Sequence, residues 1–334
     1  MKMTTIKDIA EATGVSMKTV SRVLNNEPNV REAVRDMVKD KARELRYHPN
    51  PSARSLKTRR SYVLAHFYDN PNSDYLNKVY KGMHDVCRKA AYFAVMEPLE
   101  APYADNLRDY LTDYRIDGAV LTPPLSDNAA LLDALDENNV PYVRISPGIR
   151  LESSSYVYVD NKAATERLTC YLIDKGHRHI AFIYGPETHT GAHDRLVGFR
   201  NAVRDAGLSD TDCPVHMGDF TTQSGAKLAE TILTSHKNVT AIMAANDDMA
   251  VGVIMMAAKM GLSIPEDLVV TGFDGAYIGQ IIWPALTTLN QPVEDMAARV
   301  TDMLLSRLKD PDGDIEACEH PVDLIERQST KSEG

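Results

Sequence analysis

The sequence predicts an α/β protein carrying a small all-helical head, and three observations support this. Near the N-terminus, apolar residues recur at helical spacing around a glycine turn. From Tyr62 onward, strand-like apolar runs alternate with helical stretches. Charge also divides between the two parts: residues 1–60 hold 14 Lys/Arg and 7 Asp/Glu, and the remainder hold 23 and 40. The net charge of −10 therefore conceals a head of +7 on a body of −17. Such a head attracts phosphates that the body repels.

In the head, Thr5-Ile6-Lys7-Asp8 has capping-box spacing. Ile6, Ile9 and Ala10 mark one helical face, and Gly14 ends it. Ser16 is placed to cap a second helix running to about Asn25. At about 100° per residue, Val20, Val23 and Leu24 share one arc, with Met17, Lys18, Ser21 and Arg22 opposite. A third helix follows Asn29, with Val34, Met37, Val38, Ala42 and Leu45 at three-and-four spacing. Together these predict a helix-turn-helix headpiece over residues 1–48. Its second helix suits a major groove. Arg22 can fork onto a guanine edge, Lys18 can reach guanine or phosphate, and Met17 can touch a thymine methyl. Ser16, Thr19, Ser21 and Asn25 can hold phosphates or base edges.

Residues 50–60 are too few for a stable isolated helix, which needs roughly 12–15 residues. Pro49 and Pro51 can start a helix but do not extend it backwards. Leu56 stands among Arg54, Lys57, Arg59 and Arg60, and composition alone reads this stretch as a linker.

In the body, strand-like runs are Tyr62–Phe67, Tyr92–Met96, Gly118–Leu121, Tyr142–Ile145, Tyr156–Val159, Ile180–Tyr184, Ala241–Ala245 and Leu268–Phe273. Helices such as Leu76–Lys89, Lys162–Lys175, Asp194–Asp205 and Met249–Lys259 lie between them. This alternation predicts parallel sheets covered on both faces. About 270 residues would usually divide into more than one domain.

At this point the residues carry a resemblance. Thr5-Ile6-Lys7-Asp8-Ile9-Ala10, Gly14-Val15-Ser16, Thr19-Val20-Ser21-Arg22-Val23-Leu24-Asn25 and Tyr47-x-Pro49-Asn50 form a long ordered series. They closely resemble the lactose-repressor (LacI/GalR) family of bacterial transcription regulators. Ala53-Arg54-Ser55-Leu56-Lys57 is similar to that family's hinge, and the likeness runs on to Gly272-Phe273-Asp274 and Thr287-Thr288-Leu289-Asn290-Gln291. Met17 and Lys18 fall on the family's variable reading positions.

The resemblance implies several things. Residues 49–60 would form a hinge helix that pairs with its twin and orders only on the operator. Leu56 would wedge between central base pairs in the minor groove, and Tyr47, Asn50 and Ala53 would join the DNA contacts. Residues 61–334 would form a two-lobed, periplasmic-binding-protein-like core that binds the effector and dimerises. Its N-subdomain would span about 61–160 plus 292–320, and its C-subdomain about 161–290 plus the C-terminal end. The chain would cross between lobes near Val159–Asn161 and Leu289–Pro292. A small ligand would close the cleft, with Asp69, Asn70, Asp160, Asn161, Asn246, Asp247 and Asp274 at strand ends beside it. Arg195 matches the family arginine that grips ligand oxygens, and Asp274 the carboxylate that accepts from hydroxyls. Phe220 matches an aromatic ring against an apolar ligand face, with His193, Asn246 and Gln291 as further candidates.

That set suits a sugar or glycoside, whose hydroxyls need paired donors and acceptors and whose ring has an apolar face. A purine or nucleoside acting as corepressor is the alternative. His189 and His193 have i,i+4 metal spacing, but no third ligand is evident and no metal or cofactor is expected. Neither a dinucleotide loop, a Walker loop nor a nucleophile elbow argues for an enzyme. Cys87, Cys170, Cys213 and Cys318 are widely spaced, as reduced cytoplasmic thiols would be. With no export signal or apolar span, the expectation is a cytoplasmic protein that engages no membrane. A headpiece reads too few base pairs alone, so a homodimer on a palindromic operator is expected. The polar end Gln328–Gly334 lacks the leucine heptad that pairs dimers in some relatives.

Overall fold

The computed structural model describes residues 4–24, 27–47, 58, 60–70, 72–149 and 151–331. Its contacts divide the chain into two units, residues 1–60 and 61–334.

In the first unit, α1 spans Ile6–Thr13, α2 Met17–Leu24 and α3 Glu32–Glu44. Thr5 and Asp8 close a reciprocal cap on α1: the Thr5 N–H donates to Asp8 Oδ2 at 2.6 Å, and the Asp8 N–H to Thr5 Oγ1 at 3.4 Å. Gly14, at φ +68°, ends α1 in the left-handed conformation that glycine adopts at little cost. Ser16 Oγ accepts from the Thr19 N–H at 3.1 Å and so starts α2. Ile9, Ala10, Val20, Val23, Val38 and Ala42 form the buried core, with Val34, Leu45 and Tyr47 packed against it. Met37, expected on the inner face of α3, is instead 41% exposed. The predicted helix end at Asn25 and the hinge residues Asn50, Ala53 and Leu56 lie outside the described residues.

The second unit opens with β1 (Val63–Tyr68), α4 (Ser73–Ala90), β2 (Phe93–Pro98), α5 (Tyr103–Asp113) and β3 (Gly118–Leu121). Then come α6 (Ala129–Glu137), β4 (Tyr142–Ile145) and β5 (Tyr156–Tyr158). The next stretch holds α7 (Asn161–Asp174), β6 (Ile180–Tyr184), α8 (Thr190–Asp205), β7 (Val215–Met217) and α9 (Thr222–Ser235). After β8 (Ala241–Ala244) come α10 (Asp247–Lys259), β9 (Val269–Asp274), a single turn α11 (Ile278–Ile281) and β10 (Thr287–Asn290). The long helix α12 (Val293–Lys309) precedes β11 (Ala317–Glu319) and β12 (Asp323–Ile325).

Two six-stranded sheets result, ordered β11-β5-β4-β3-β1-β2 and β12-β10-β9-β8-β6-β7. Every pairing is parallel except β10 with β12. Successive residues of β1, Leu64 and Ala65, enter separate buried clusters, as do Val120 and Ala119 of β3. The first sheet is therefore apolar on both faces, which explains why its strands read as continuous apolar runs. The chain passes from the first sheet to the second between β5 and β6, and α12 returns to pack on α4. A third passage takes the chain from β11 in the first sheet to β12 in the second. At the α4–α12 contact, a Cβ on Gly82 would stand 2.2 Å from the Glu294 carbonyl, so only glycine admits this approach. Among the described residues, no helix is long and apolar enough to cross a membrane.

Candidate functional site

Two surfaces carry chemistry. On the headpiece, α2 buries Val20 and Val23 and leaves Met17, Lys18 and Arg22 exposed. Arg22 Nε lies 3.6 Å from Glu27 Oε2 in a half-exposed ion pair, a weak tie that a phosphate or guanine could displace. The Ser16 and Thr19 hydroxyls lie 2.9 Å apart and bond to each other, so part of their capacity serves the cap. Tyr47 packs its ring on the headpiece core, and burial raises its hydroxyl pKa. Arg22, Lys18 and Met17 thus form an exposed, basic ridge on an apolar-backed helix.

In the body, a cavity of about 600 Å³, open mouth included, lies among the strand ends and helix starts. Asn70, Arg195, Phe220, Asn246, Asp274 and Gln291, all proposed from the sequence, line it. Arg195, on α8, is buried at 8% exposure. Its Nε donates to Asn161 Oδ1 at 2.8 Å, its Nη1 donates to the Ala245 carbonyl, and its guanidinium lies 3.6 Å over the Phe273 ring. Its Nη2 has no hydrogen-bond partner among the described residues. Burial lowers the Arg195 pKa, although Asp274 favours the charged form.

Asp274 ends β9 at φ +116°, a backbone conformation that non-glycine residues seldom adopt and one typical of functional sites. Gln291 Nε2 donates to its Oδ1 at 2.6 Å, while Oδ2 accepts no hydrogen bond among the described residues. Burial pushes its carboxyl up to about 6, against the opposing pull of Arg195, Gln291 and Lys78. Asp247, next to the cavity, is fully buried. It accepts from Thr288 Oγ1 and from the Ala276 N–H, and burial pushes its carboxyl well above the usual range. It therefore braces the β9–α11 turn that presents Asp274.

Phe220 also has a positive φ, +66°. Asn246 caps α10 by accepting from the Met249 N–H at 3.0 Å and holds the Phe220 carbonyl through Nδ2 at 2.9 Å. Gly185 lets the ring settle, since a Cβ there would lie 2.1 Å from Phe220 Cζ. His189 meets that ring edge-on at 5.1 Å, and burial holds its imidazole down to about 4, so it is neutral at pH 7.

Three expected contacts lie elsewhere. Asp69 is exposed and accepts from the Tyr103 hydroxyl at 2.6 Å. Asp160 is exposed and caps α7 through the Ala163 N–H at 2.8 Å. His193 is two residues from Arg195, about 200° round α8, and its side chain is 69% exposed beside Asp194. The cavity is completed instead by Tyr75, Asn72, Ser146, Pro123 and His189, with Asn161. Burial raises the Tyr75 hydroxyl pKa, with Asp274 adding to the shift, so this ring stays neutral. Bonds tie the two sheets' segments across the cleft. Asn72 Nδ2 donates to Asp248 Oδ2 at 2.6 Å, Lys78 Nζ donates to the Gly275 carbonyl at 2.9 Å, and Thr190 Oγ1 donates to Asp127.

The comparisons follow the same division. Residues 5–50 match the family described as "Bacterial regulatory proteins, lacI family", and residues 169–330 match "Periplasmic binding protein-like domain". The HTH-type transcriptional repressor PurR of Edwardsiella ictaluri (strain 93-146) is 32% identical over 334 residues, covering 98% of this chain and 97% of its own. The ribose operon repressor of Halalkalibacterium halodurans is 30% identical over 332 residues, covering 98% of both chains. A solved transcriptional regulator CelR–cellobiose complex superimposes with a TM-score of 0.75 at 30% identity, covering 98% of this chain and 99% of that one.

Proposed function

This chain belongs to the lacI family of bacterial regulatory proteins, and from that premise we propose how its two surfaces work together. It is a DNA-binding transcriptional repressor and not an enzyme. Its headpiece reads a palindromic operator in the cytoplasm as a homodimer, with Arg22, Lys18 and Met17 in the major groove. Leu56, Asn50 and Ala53 contribute from the hinge, on the family resemblance alone. The body binds a sugar or glycoside between its lobes, and binding changes operator affinity through the hinges. A coupling of typically 1–3 kcal/mol would change it ~5–150-fold.

One observation carries the carbohydrate reading: Arg195 and Asp274 line the same cavity, and Arg195 Nη2 and Asp274 Oδ2 each lack a hydrogen-bond partner among the described residues. A donor and an acceptor close together, with the rings of Phe220 and Tyr75 in the same lining, match vicinal hydroxyls on a ring with an apolar face. Cellobiose in one relative's structure and ribose in another's name support this class. The test is a thermal-shift screen of the full chain against sugars, glycosides, nucleobases and nucleosides. A ligand at 100 times its Kd adds about 2.7 kcal/mol. A shift with sugars that Arg195→Ala removes supports the reading, and a shift with purines alone replaces it.

A further inference from the structure

Ser61 is the first residue of the second unit, so residues 49–60 join the body through it. One side chain, Asp117, holds this entry. The Ser61 N–H and hydroxyl donate to Asp117 Oδ1 at 2.7 and 2.9 Å, and the Tyr62 N–H donates to Oδ2 at 3.0 Å. Backbone bonds complete the lock. The Asp117 N–H donates to the Val63 carbonyl and the Phe93 N–H to the Tyr62 carbonyl, both at 2.8 Å. Tyr62 stands at φ +58°, a left-handed backbone that a tyrosine keeps only where its surroundings fix it. Its ring meets that of Tyr92 edge-on at 5.2 Å. Asp117 itself directly precedes β3, which pairs with β1 from Leu64–Gly118 to Phe67–Leu121. Beyond these strands come Asn70 and Pro123, both in the lining of the effector cavity. The three carboxylate bonds thus lie at one end of a buried strand pair and the cavity at the other, about 20 Å apart for six residues of strand.

We propose that Asp117 is a positioning residue for operator binding: it fixes the place and heading at which the chain leaves the body, and so presents the hinge to DNA from a rigid base. The proposal rests on the hinge reading above and deepens it. With the carboxylate gone, two N–H groups and a hydroxyl lose their acceptor, and nothing polar holds Tyr62 in its left-handed turn. The first residues of the body would then have to be ordered at the moment the hinge engages its site, at a cost in conformational entropy. Non-specific binding, which phosphate charge supplies, needs no such placement. The loss should therefore fall on the operator and spare random DNA.

Fluorescence anisotropy of the full chain tests this, on a palindromic duplex selected by the wild-type chain from a random pool and on a scrambled duplex of equal length. Asp117→Ala removes all three bonds, and Ser61→Ala removes one while leaving both N–H donors in place. The expected loss on the selected duplex is about tenfold or more for Asp117→Ala and about 2–5-fold for Ser61→Ala, with less than about twofold on the scrambled one. Melting curves verify that the body stays folded, and Ser61→Ala carries the test if Asp117→Ala does not fold. Combined with Leu56→Ala, either variant should add little further loss, because both changes act through the hinge. Equal loss on the two duplexes, no loss on the selected one, or losses that multiply in full with that of Leu56→Ala overturn the role of Asp117 and leave the hinge reading intact. A Leu56→Ala variant that binds the selected duplex like wild type overturns the hinge reading and this role together.

Discussion

Arg195 Nη1 and Asp274 Oδ1 stand 4.0 Å apart, near enough to influence each other's charge and too far for a hydrogen bond. Each is anchored by a neutral amide, Asn161 for the arginine and Gln291 for the carboxylate. The pair is therefore held in place with one polar atom of each left over for a third group.

Arg195→Lys should show that geometry, beyond charge, is needed here. Lysine keeps the positive charge but cannot bond Asn161, reach Ala245 and present a further N–H in one plane. Effector affinity should fall roughly 10–100-fold, the worth of a charge-assisted hydrogen bond. Calorimetry measures this directly, and an unchanged Kd would remove Arg195 from the site.

Effector binding should weaken as pH falls through about 6, the value to which burial pushes the Asp274 carboxyl. Below it the free protein holds a proton that a ligand hydroxyl must displace, so affinity declines by up to about tenfold per pH unit. Stability has the opposite sign. The folded pKa lies above the unfolded value near 4, so the native state binds the extra proton between roughly pH 4 and 6. From this group, stability is greatest below that window and declines as pH rises through it. Titrations at pH 5 and 7, in buffers of different ionisation enthalpy, would count the protons released, and Asp274→Asn should flatten the profile.

Gly185→Ala should damage binding without touching any polar group. The new Cβ would collide with the Phe220 ring at 2.1 Å, and the ring is the part able to move. Losing a ring contact costs about 0.5–1.5 kcal/mol, or roughly 2–10-fold in affinity. Overpacking should lower stability by about 1–3 kcal/mol. Parallel calorimetry and denaturant melts separate the two, and an affinity equal to wild type would mean the ring makes no ligand contact.

On the headpiece, Arg22→Ala should cost about 1–3 kcal/mol on the operator and relax preference at one base pair. Glu27→Gln should act in the opposite direction, freeing Arg22 from the 3.6 Å pair and removing a negative charge near DNA. Competition titrations on operator and random duplexes at two salt concentrations decide it. Equal losses on both duplexes for Arg22→Ala would reduce that residue to a phosphate contact.

The head was legible because its signals are local. A threonine and an aspartate three apart, a glycine and a serine two apart, and one apolar arc define its helices without reference to any distant residue. Arg195 and Asp274 were found through resemblance, and nothing in their own spacing pairs residues 79 positions apart. Tyr75, Ser146 and His189 escaped because they come from a helix, a loop and a helix start that meet only after folding. The helix expected from Asp194 starts at Thr190 instead, one turn earlier, as α8. Within it, a Cβ on Gly191 would lie 3.2 Å from Asn161 Nδ2, so the amide that anchors Arg195 would have to give by a few tenths of an ångström. His193, expected at the site, was misplaced because one helical face cannot hold both it and Arg195. The edge strands β7, β11 and β12, three residues each, are too short to show a period.

Of the chain's passages between the sheets, the last is the shortest. Only His320, Pro321 and Val322 join β11 in one sheet to β12 in the other. Fully extended, three residues reach roughly 10 Å, so this segment acts as a tether of fixed length at the far edge of both sheets. The two sheets cannot part there by more than the slack it holds. Lengthening it with a few glycines would loosen the leash without altering a single residue of the cleft or the headpiece.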